Sequence, residues 1–313
     1  MAHNITREES VGYPAQWPLY IVHITVNVVK SLRPKQWSKN FFVFAGLLFS
    51  QNLFNPPLLY RSILAFVIFC LLSGSTYLIN DLVDLERDRM HPEKCKRPLA
   101  SGRLKPLHAV AALAVLLPVS LGISWYLSPP FFAASLAYFI LQLLYSFWLK
   151  HLVILDVFSV AAGFVLRVVA GALVIGVRIS SWLLLCTTLL ALFLGLSKRR
   201  HELLILEQGA GEHRKVLGEY NFLFLDQMIA VVTASTLLSY SLYTVSSETV
   251  KRVGSESMIF TIPFVLYGIF RYLYLVYHKN SGGSPENLLI TDKPLLVDIA
   301  LWVVTVILIL YWR

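Results

Sequence analysis

Residues 58–92 read LLYRSILAFVIFCLLSGSTYLINDLVDLERDRMHP, an apolar run that passes directly into a charged one. The apolar part has roughly 20 residues, which is the length an α-helix needs to cross the hydrocarbon core of a bilayer. The charged part begins at Asn80, where such a helix would leave the membrane. The stretch therefore predicts a transmembrane helix with a cluster of carboxylates at one membrane surface.

The rest of the chain has the same apolar character. Of its 313 residues, 57% are apolar and 14% are charged. Soluble globular proteins carry about 25% charged residues. The mean hydropathy is +0.65. These values exclude a cytosolic enzyme, a disordered chain and a secreted disulfide scaffold, and they predict an all-α polytopic membrane protein.

Apolar windows of about 20 residues predict the transmembrane helices. Nine such windows occur, at residues 38–54, 58–79, 106–127, 130–148, 152–176, 180–196, 225–246, 257–277 and 294–312. The first window is the least apolar because it contains Asn40, Gln51 and Asn52. Residues 20–32 are apolar but short, and we interpret them as an interfacial helix.

The basic residues predict the orientation of this bundle. If the N-terminus is cytosolic, 21 of the 27 Lys and Arg residues lie on the cytosolic side and five on the other. The positive-inside rule favours that orientation, and nine spans then put the C-terminus outside. Because the basic residues follow the loops, the net charge of +9 indicates membrane topology rather than a nucleic-acid partner.

The acidic cluster after the second span is the richest polar feature. Asp81, Asp84 and Asp88 are spaced by three and four residues, so on a continuing helix they point to one side. Three like charges repel one another, and a divalent cation reverses that repulsion. Carboxylate oxygens suit Mg²⁺, which typically shares its coordination shell with substrate phosphates. We expect these three aspartates, helped by Asn80, to hold Mg²⁺; the alternative is a solvated helix end neutralised by neighbouring arginines.

Basic residues follow the carboxylates at once. Lys94, Lys96 and Arg97 precede a Ser101-Gly102 turn. A metal ion that bridges some phosphate oxygens, with Lys or Arg on the others, is the arrangement that binds a diphosphate. The segment therefore predicts a Mg²⁺–diphosphate site at the membrane surface, where a lipid reactant meets a soluble one.

The motif Asn80-Asp81-x-x-Asp84-x-x-x-Asp88 resembles the first Asp-rich motif of the UbiA superfamily of intramembrane prenyltransferases, and the nine predicted spans match that fold. Three further segments resemble its decaprenyl-phosphate phosphoribosyltransferase branch. They are His91-Pro92-x-Lys94-x-x-Arg97-Pro98-x-Ala100-Ser101-Gly102, Arg33-Pro34-x-Gln36-Trp37-x-Lys39-Asn40, and Ser197-Lys198-Arg199-Arg200-His201-Glu202-Leu203. The resemblance covers about residues 30–312.

The sequence departs from the superfamily after the sixth span. Ordinary members carry a second Asp-rich motif there, whereas this chain has no aspartate until Asp226. More cations and fewer carboxylates suit a reaction with more phosphate groups to hold. The predicted substrate-binding residues are Lys39, Lys94, Arg97, Lys150, Lys198, Arg199, Arg200 and Glu202.

Two charged residues lie inside the fifth span. Asp156, Gly163, Arg167 and Gly171 form one stripe at helical spacing. Charge in lipid is costly and small residues permit close helix packing, so this stripe is expected to face the bundle. Arg167 lies about 16 Å deeper than Asp156 at about 1.5 Å per residue. At that depth we expect it to pair with a buried carboxylate or carbonyl rather than to bind the acceptor phosphate directly.

The resemblance implies transfer of 5-phosphoribose from phosphoribosyl pyrophosphate to a polyprenyl phosphate, with release of pyrophosphate and with Mg²⁺ as cofactor. The active site would face the cytosol at the cell (inner) membrane. The chain would then be a polar tail, 1–19, and a single transmembrane catalytic domain, 20–313. Two alternatives stay open: prenyl transfer from a diphosphate to an aromatic acceptor, and cation transport. Homo-oligomer formation is also left open.

Overall fold

The computed structural model describes residues 17–91, 94–207, 215–279, 283, 288 and 291–312. Those residues form helices and no strand. Residues 1–16 of the predicted tail, Pro92 of the predicted motif and most of residues 279–293 lie outside the described residues. The division into a tail and one catalytic domain stays a prediction.

Twelve α-helices have both ends within the described residues, and we number them in chain order. They are α1 (Trp17–Ser31), α2 (Ala45–Phe49), α3 (Pro56–Val83), α4 (Leu85–Met90), α5 (Pro106–Leu127), α6 (Pro129–Phe147), α7 (Leu155–Val174), α8 (Ser181–Glu207), α9 (Phe222–Val245), α10 (Ser247–Val253), α11 (Ile262–His278) and α12 (Lys293–Tyr311). Five 3₁₀ segments join them, at Pro34–Phe44, Lys94–Lys96, Leu149–His151, Lys215–Glu219 and Ser257–Thr261.

Within the described residues, eight helical segments are long and apolar enough to cross a membrane. They correspond to eight of the nine predicted spans, and the multi-pass, all-α architecture is confirmed. The side chains that point away from the bundle are apolar, as on Val115 of α5 and Leu301 of α12. Such surfaces suit lipid rather than water. The cytosolic position of the N-terminus stays a prediction.

The first predicted span, 38–54, differs from the prediction because it is not a continuous α-helix. The chain follows a 3₁₀ helix over Pro34–Phe44 and then the short helix α2. The 3₁₀ form rises about 2.0 Å per residue, so the two pieces together cover about 30 Å. Arg33 bonds Asp81 at one end of the bundle, and beyond α2 the amide of Gln51 bonds the carbonyl of Arg252 at the other.

Close packing against α7 accompanies this unusual conformation. A Cβ added to Gly171 would lie 1.9 Å from the carbonyl oxygen of Val43, so only glycine permits the contact. Likewise, a Cβ on Gly46 would come within 2.9 Å of the Cα of Ala172. Small residues allow such backbone approach within membranes. The prediction that the glycine stripe of α7 faces the bundle is confirmed.

Helix α7 is the centre of the bundle. One apolar cluster joins it to α3, α6 and the 3₁₀ segment Pro34–Phe44 through residues such as Phe69, Tyr138 and Ala170. A second cluster joins it to α8, α9 and α11 through residues such as Val157 and Phe193. Because α7 belongs to both clusters, polar residues near its start are held by helices on either side.

The sixth predicted span ends at 196, but α8 continues for eleven further residues to Glu207. The apolar window ends where charged residues begin, and Lys, Arg and Glu are good helix formers that carry the helix beyond the apolar zone. Lys198, Arg199, Arg200 and Glu202 therefore lie on a helix rather than in a loop. The helix fixes their directions, and they point to different neighbours.

Candidate active site

A cavity of about 1020 Å³ opens between the end of α3 and the facing parts of α6, α7 and α8. We call this end of the bundle the acidic end, because Asp84 and Asp88 lie there. Nine of the twelve predicted site residues line the cavity: Lys39, Asn80, Asp84, Asp88, Lys94, Arg97, Lys150, Lys198 and Arg199. Segments distant in the sequence are thus brought together. The remaining three, Asp81, Arg200 and Glu202, are not part of the lining.

One wall of the cavity is formed by the end of α3 and by α4, and we call it the first wall. Its carboxylates lie at a slight break between these two helices. Asp84 occupies the junction, yet its N–H still bonds the carbonyl of Asn80 at 2.9 Å, and its own carbonyl accepts from the N–H of Asp88 at 2.8 Å. The helical path therefore nearly continues, as the spacing predicts. The three aspartates nevertheless do not share one environment.

Asp81 is buried and already paired. Its side chain is 2% exposed, and one carboxylate oxygen accepts from Arg33 at 2.5 Å and from Arg97 at 3.1 Å. Arg97 also bonds Asp88 at 2.5 Å. A chain of alternating charge, Arg33–Asp81–Arg97–Asp88, thus runs along the wall of the cavity. Since Asp81 faces arginines, it orients these cations instead of opening to the cavity.

Arg33 is held in a backbone conformation that non-glycine residues rarely adopt. Its φ of 54° and ψ of 66° are left-handed, and Pro34 follows directly. A left-handed backbone is sterically unfavourable for a residue with a side chain, and the ring of a following proline disfavours helical backbone angles further. The bond to Asp81 and a cation–π contact of 4.6 Å with Tyr77 fix the guanidinium beside the cavity. The sequence predicts Arg33 only as part of the motif that begins Arg33-Pro34, and not as a site residue.

Asp84 is the carboxylate most open to the cavity. Its side chain is 32% exposed, and its ion pair with Arg87 is long, at 3.9 Å. In the part of the chain that the structure describes, no three His, Cys, Asp or Glu side chains group closely enough to hold a metal ion. The three-carboxylate arrangement expected from the spacing is therefore not formed.

A site with fewer protein ligands does fit the lining. Asn80, Asp84 and Asp88 supply two carboxylates and one amide on the same wall. Mg²⁺ is usually bound by one or two carboxylates and completes its shell with waters and substrate phosphates. These donors therefore suit Mg²⁺ shared with a phosphorylated ligand, and not a cage built by the protein alone.

The facing wall, on α7 and α8, carries a buried ion pair. Asp156 is fully buried and accepts from Arg199 at 2.6 Å. Arg199 also bonds Glu202 and the hydroxyl of Tyr145, the latter at 3.3 Å. Arg199 is also one of the residues that line the cavity. Arg199 is thus a pre-oriented cation held by carboxylates from two helices.

Tyr220 completes that pair from outside the membrane segments. Its hydroxyl donates to Asp156 at 2.8 Å and accepts from the N–H of Ile154 at 2.7 Å. Ile154 has a φ of 67°, which is strained for a β-branched residue. Burial, together with the nearby Asp156 carboxylate, raises the pKa of the Tyr220 hydroxyl. The hydroxyl therefore stays protonated near neutral pH and keeps donating to Asp156. No sequence motif signalled Tyr220.

The other predicted residues of α8 point in different directions. Lys198 lines the cavity next to Arg199. Arg200 turns away, pairs with Asp226 at 2.6 Å and lies over the ring of Tyr277 at 4.2 Å. Glu202 contacts Arg199 rather than the cavity. Among the cluster, Lys198 and Arg199 are placed to meet a ligand directly.

Arg167 lies at the membrane-buried end of the same cavity. The sequence predicts a carboxylate or carbonyl partner, and the structure confirms carbonyls: Asn40 Oδ1 at 2.7 Å and the backbone oxygen of Gly163 at 3.0 Å. The hydroxyl of Tyr138 accepts a third bond at 2.7 Å. These contacts cross-link the 3₁₀ segment Pro34–Phe44, α6 and α7. Sequence reasoning missed Tyr138 because the contact joins residues far apart in the chain.

Curated relatives resemble the chain over most of its length. A decaprenyl-phosphate phosphoribosyltransferase from Corynebacterium glutamicum is 33% identical and aligns with 91% of this chain and 86% of the relative. A protein of the same name from Mycolicibacterium smegmatis is 30% identical, covering 91% of this chain and 92% of the relative.

Solved structures share the fold. A UbiA homolog from Archaeoglobus fulgidus, bound to DMAPP and Mg²⁺, superposes with a TM-score of 0.65 and is 17% identical. The match covers 92% of this chain and all of that one. Residues 40–198, which include the first carboxylate wall and reach Lys198, match the UbiA prenyltransferase family. The chain belongs to the UbiA prenyltransferase family.

Proposed function

We propose that the chain transfers 5-phosphoribose from phosphoribosyl pyrophosphate to a polyprenyl phosphate and releases pyrophosphate. The observation that carries this proposal is the composition of the cavity. One wall offers two carboxylates suited to a metal-bound pyrophosphate, and the other walls offer cations for further phosphate groups, among them Lys150, Lys198 and Arg199. The names of the curated relatives support the same reaction.

Asn80, Asp84 and Asp88 would hold Mg²⁺ together with the pyrophosphate of the donor. When bound, the ion supplies positive charge that stabilises the departing pyrophosphate. Arg97, which Asp81 and Asp88 hold at 3.1 and 2.5 Å, is fixed beside that position. Lys94 lines the same part of the cavity. These two side chains take phosphate oxygens and share the negative charge that grows on the leaving group.

The chemical step is a displacement at the anomeric carbon of the ribose. The bond from this carbon to the pyrophosphate oxygen breaks, and a bond to a phosphate oxygen of the lipid forms. That phosphate is already ionised at neutral pH, so no side chain has to remove a proton from it. The work of the protein is to position the reactants and stabilise charge. Lys39, Lys150, Lys198 and Arg199 are the proposed phosphate contacts.

The acidic end is proposed to face the cytosol at the cell (inner) membrane. The soluble donor enters there, and the excess of Lys and Arg on this side supports the orientation. Lipid and soluble substrates would then meet at the boundary between the apolar spans and the charged ends of α3 and α8. Residues 20–313 would act as one catalytic unit.

A donor-swap assay on purified protein tests the proposal. One reaction contains radiolabelled phosphoribosyl pyrophosphate, a polyprenyl phosphate and Mg²⁺; the other contains a prenyl diphosphate, radiolabelled 4-hydroxybenzoate and Mg²⁺. We expect label to enter the organic-extractable lipid only in the first reaction, and excess EDTA to stop it. Asp84→Asn is the matched inactive control. Product in the second reaction alone would overturn the proposal in favour of prenyl transfer.

A further inference from the structure

Arg167 is a buried cation deep in a membrane-spanning helix. It lies eleven residues after Asp156 on α7, about 16 Å further along at 1.5 Å per residue. The residue is 5% exposed, and its bond to the carbonyl of Gly163, one turn earlier, turns the guanidinium back toward the acidic end. The charge therefore sits at the floor of the cavity rather than at the membrane midplane behind it.

Arg167 has no anionic partner within the described part of the chain. Its hydrogen-bond acceptors are an amide, a backbone carbonyl and a hydroxyl, and no described carboxylate oxygen comes within 4.0 Å of it. Arg199, which is equally buried, contacts both Asp156 and Glu202. Burying a cation without a counter-ion is costly, by several kcal/mol in order of magnitude. A ligand anion in the cavity would offset that cost.

The floor of the cavity has unused hydrogen-bond donors. A guanidinium carries five N–H groups, and three bonds are made here. The side-chain amide of Gln142 also lines the cavity and makes no hydrogen bond to any described residue. Amide and guanidinium are thus both available to one ligand.

Gly163 brings these two groups together. A Cβ added at this position would lie 3.0 Å from the Gln142 amide nitrogen and 3.5 Å from Nη1 of Arg167. Both groups therefore approach the same bare stretch of α7, which a larger residue would fill. The result is a pair of neighbouring donors, one of them charged, facing the cavity from its membrane-buried end.

We propose that Arg167 and Gln142 bind a phosphate monoester of a substrate at the floor of the cavity. This inference rests on the proposed function, in which both reactants carry such a group: the 5-phosphate of the donor and the phosphate of the lipid. A phosphate monoester carries about 1.5 to 2 negative charges near neutral pH and matches the fork of a guanidinium. The tests below identify which of the two phosphates is bound.

The competing role for Arg167 is purely structural, because its three bonds tie together the 3₁₀ segment, α6 and α7. Two variants separate the roles. Gln142→Leu removes the free amide and breaks no hydrogen bond in the described residues. Tyr138→Phe removes one of the three structural bonds and is not part of the cavity lining.

The experiment measures KM for each substrate in wild type, Gln142→Leu, Arg167→Lys and Tyr138→Phe, with the unfolding temperature of each. We expect Gln142→Leu to unfold like wild type and to raise KM for one substrate by about tenfold, the effect of a lost bond to a charged group. Arg167→Lys should raise KM for the same substrate. Tyr138→Phe should lower the unfolding temperature and leave both KM values within about twofold.

A rise in the lipid KM identifies the lipid phosphate, and a rise in the donor KM identifies the 5-phosphate. A folded Gln142→Leu protein with both KM values unchanged would overturn the inference, even if Arg167→Lys fails to fold. Binding of polyprenyl phosphate and of ribose 5-phosphate, measured without transfer, keeps the two proposals distinct. If wild type transfers no phosphoribose but Gln142→Leu weakens either binding, the floor site stands and the proposed reaction fails.

Discussion

The two walls of the cavity use charge in opposite ways. On the wall of α3 and α4, Asp84 is 32% exposed and its ion pair with Arg87 is long, at 3.9 Å. On the wall of α7 and α8, Asp156 is fully buried and its two oxygens are taken by Arg199 and Tyr220. The first wall presents a carboxylate to a ligand, and the second uses its carboxylate to present an arginine. One wall is therefore suited to metal and the other to phosphate.

The largest expected effect comes from Asp84→Asn. Removing a proposed metal ligand should lower the transfer rate by about 100-fold or more, which corresponds to about 3 kcal/mol of lost charge stabilisation. Folding should not suffer, because among the described residues the Asp84 carboxylate makes only a long ion pair, 3.9 Å from Arg87. Turnover and unfolding temperature in detergent without Mg²⁺ are the measurements. Near-normal turnover would remove Asp84 from the metal site.

Asp156→Asn should lower stability, which Asp84→Asn leaves unchanged. Breaking a buried pair costs about 3 to 5 kcal/mol, and the remaining contact of Arg199 with Glu202 should keep the loss near the lower value. We therefore expect a marked fall in unfolding temperature, measured without substrates, together with reduced turnover. If Asp84→Asn lowers the unfolding temperature and Asp156→Asn does not, the structural role assigned to Asp156 and the ligand-binding role assigned to Asp84 are wrong.

Lys198→Ala should have a smaller effect that is confined to substrate binding. Losing one charged contact to phosphate should raise KM for a phosphorylated substrate by about tenfold, with the unfolding temperature close to that of wild type. Steady-state kinetics with each substrate varied in turn measures this. An unchanged KM for both substrates would return Lys198 to a role in membrane topology.

Arg200→Ala is the matched control on the next residue of the same helix. Arg200 pairs with the partly exposed Asp226 and lies outside the cavity lining, so its loss should cost up to about 1 kcal/mol of stability. Both KM values should stay within about twofold of wild type. A rise in KM as large as that of Lys198→Ala would show that a side chain need not line the cavity to contribute to substrate binding.

The length of the apolar windows predicts the long helices well. The predicted span 106–127 coincides with α5, because a long apolar run in lipid has few alternatives to a helix. Residues 38–54 departed from the prediction because their conformation depends on α7, where Gly171 admits the carbonyl of Val43. A contact between residues so far apart in the chain leaves no local signal.

In the site, too, local features could be predicted from the sequence and long-range contacts could not. Spacing predicts that Asp81, Asp84 and Asp88 point to one side, and Asp84 and Asp88 do line one wall, because the local helical path nearly continues through the junction. Spacing did not separate Asp81 from its neighbours, because that depends on Arg33, 48 residues away. Nor did it separate Lys198 from Arg200, whose directions follow from the extension of α8. Chemistry could be predicted where partners are local, and required the fold where they are distant.

We propose that the metal binds only to the wall formed by α3 and α4. Mn²⁺, which takes the same hard oxygen ligands as Mg²⁺, can be counted by electron paramagnetic resonance in the presence of phosphoribosyl pyrophosphate. The variants to compare with wild type are Asp84→Asn, Asp88→Asn and Glu202→Gln. We predict that the two aspartate variants lose the tightly bound Mn²⁺ and that Glu202→Gln keeps it. Mn²⁺ retained by Asp84→Asn and Asp88→Asn but lost from Glu202→Gln would contradict the assignment.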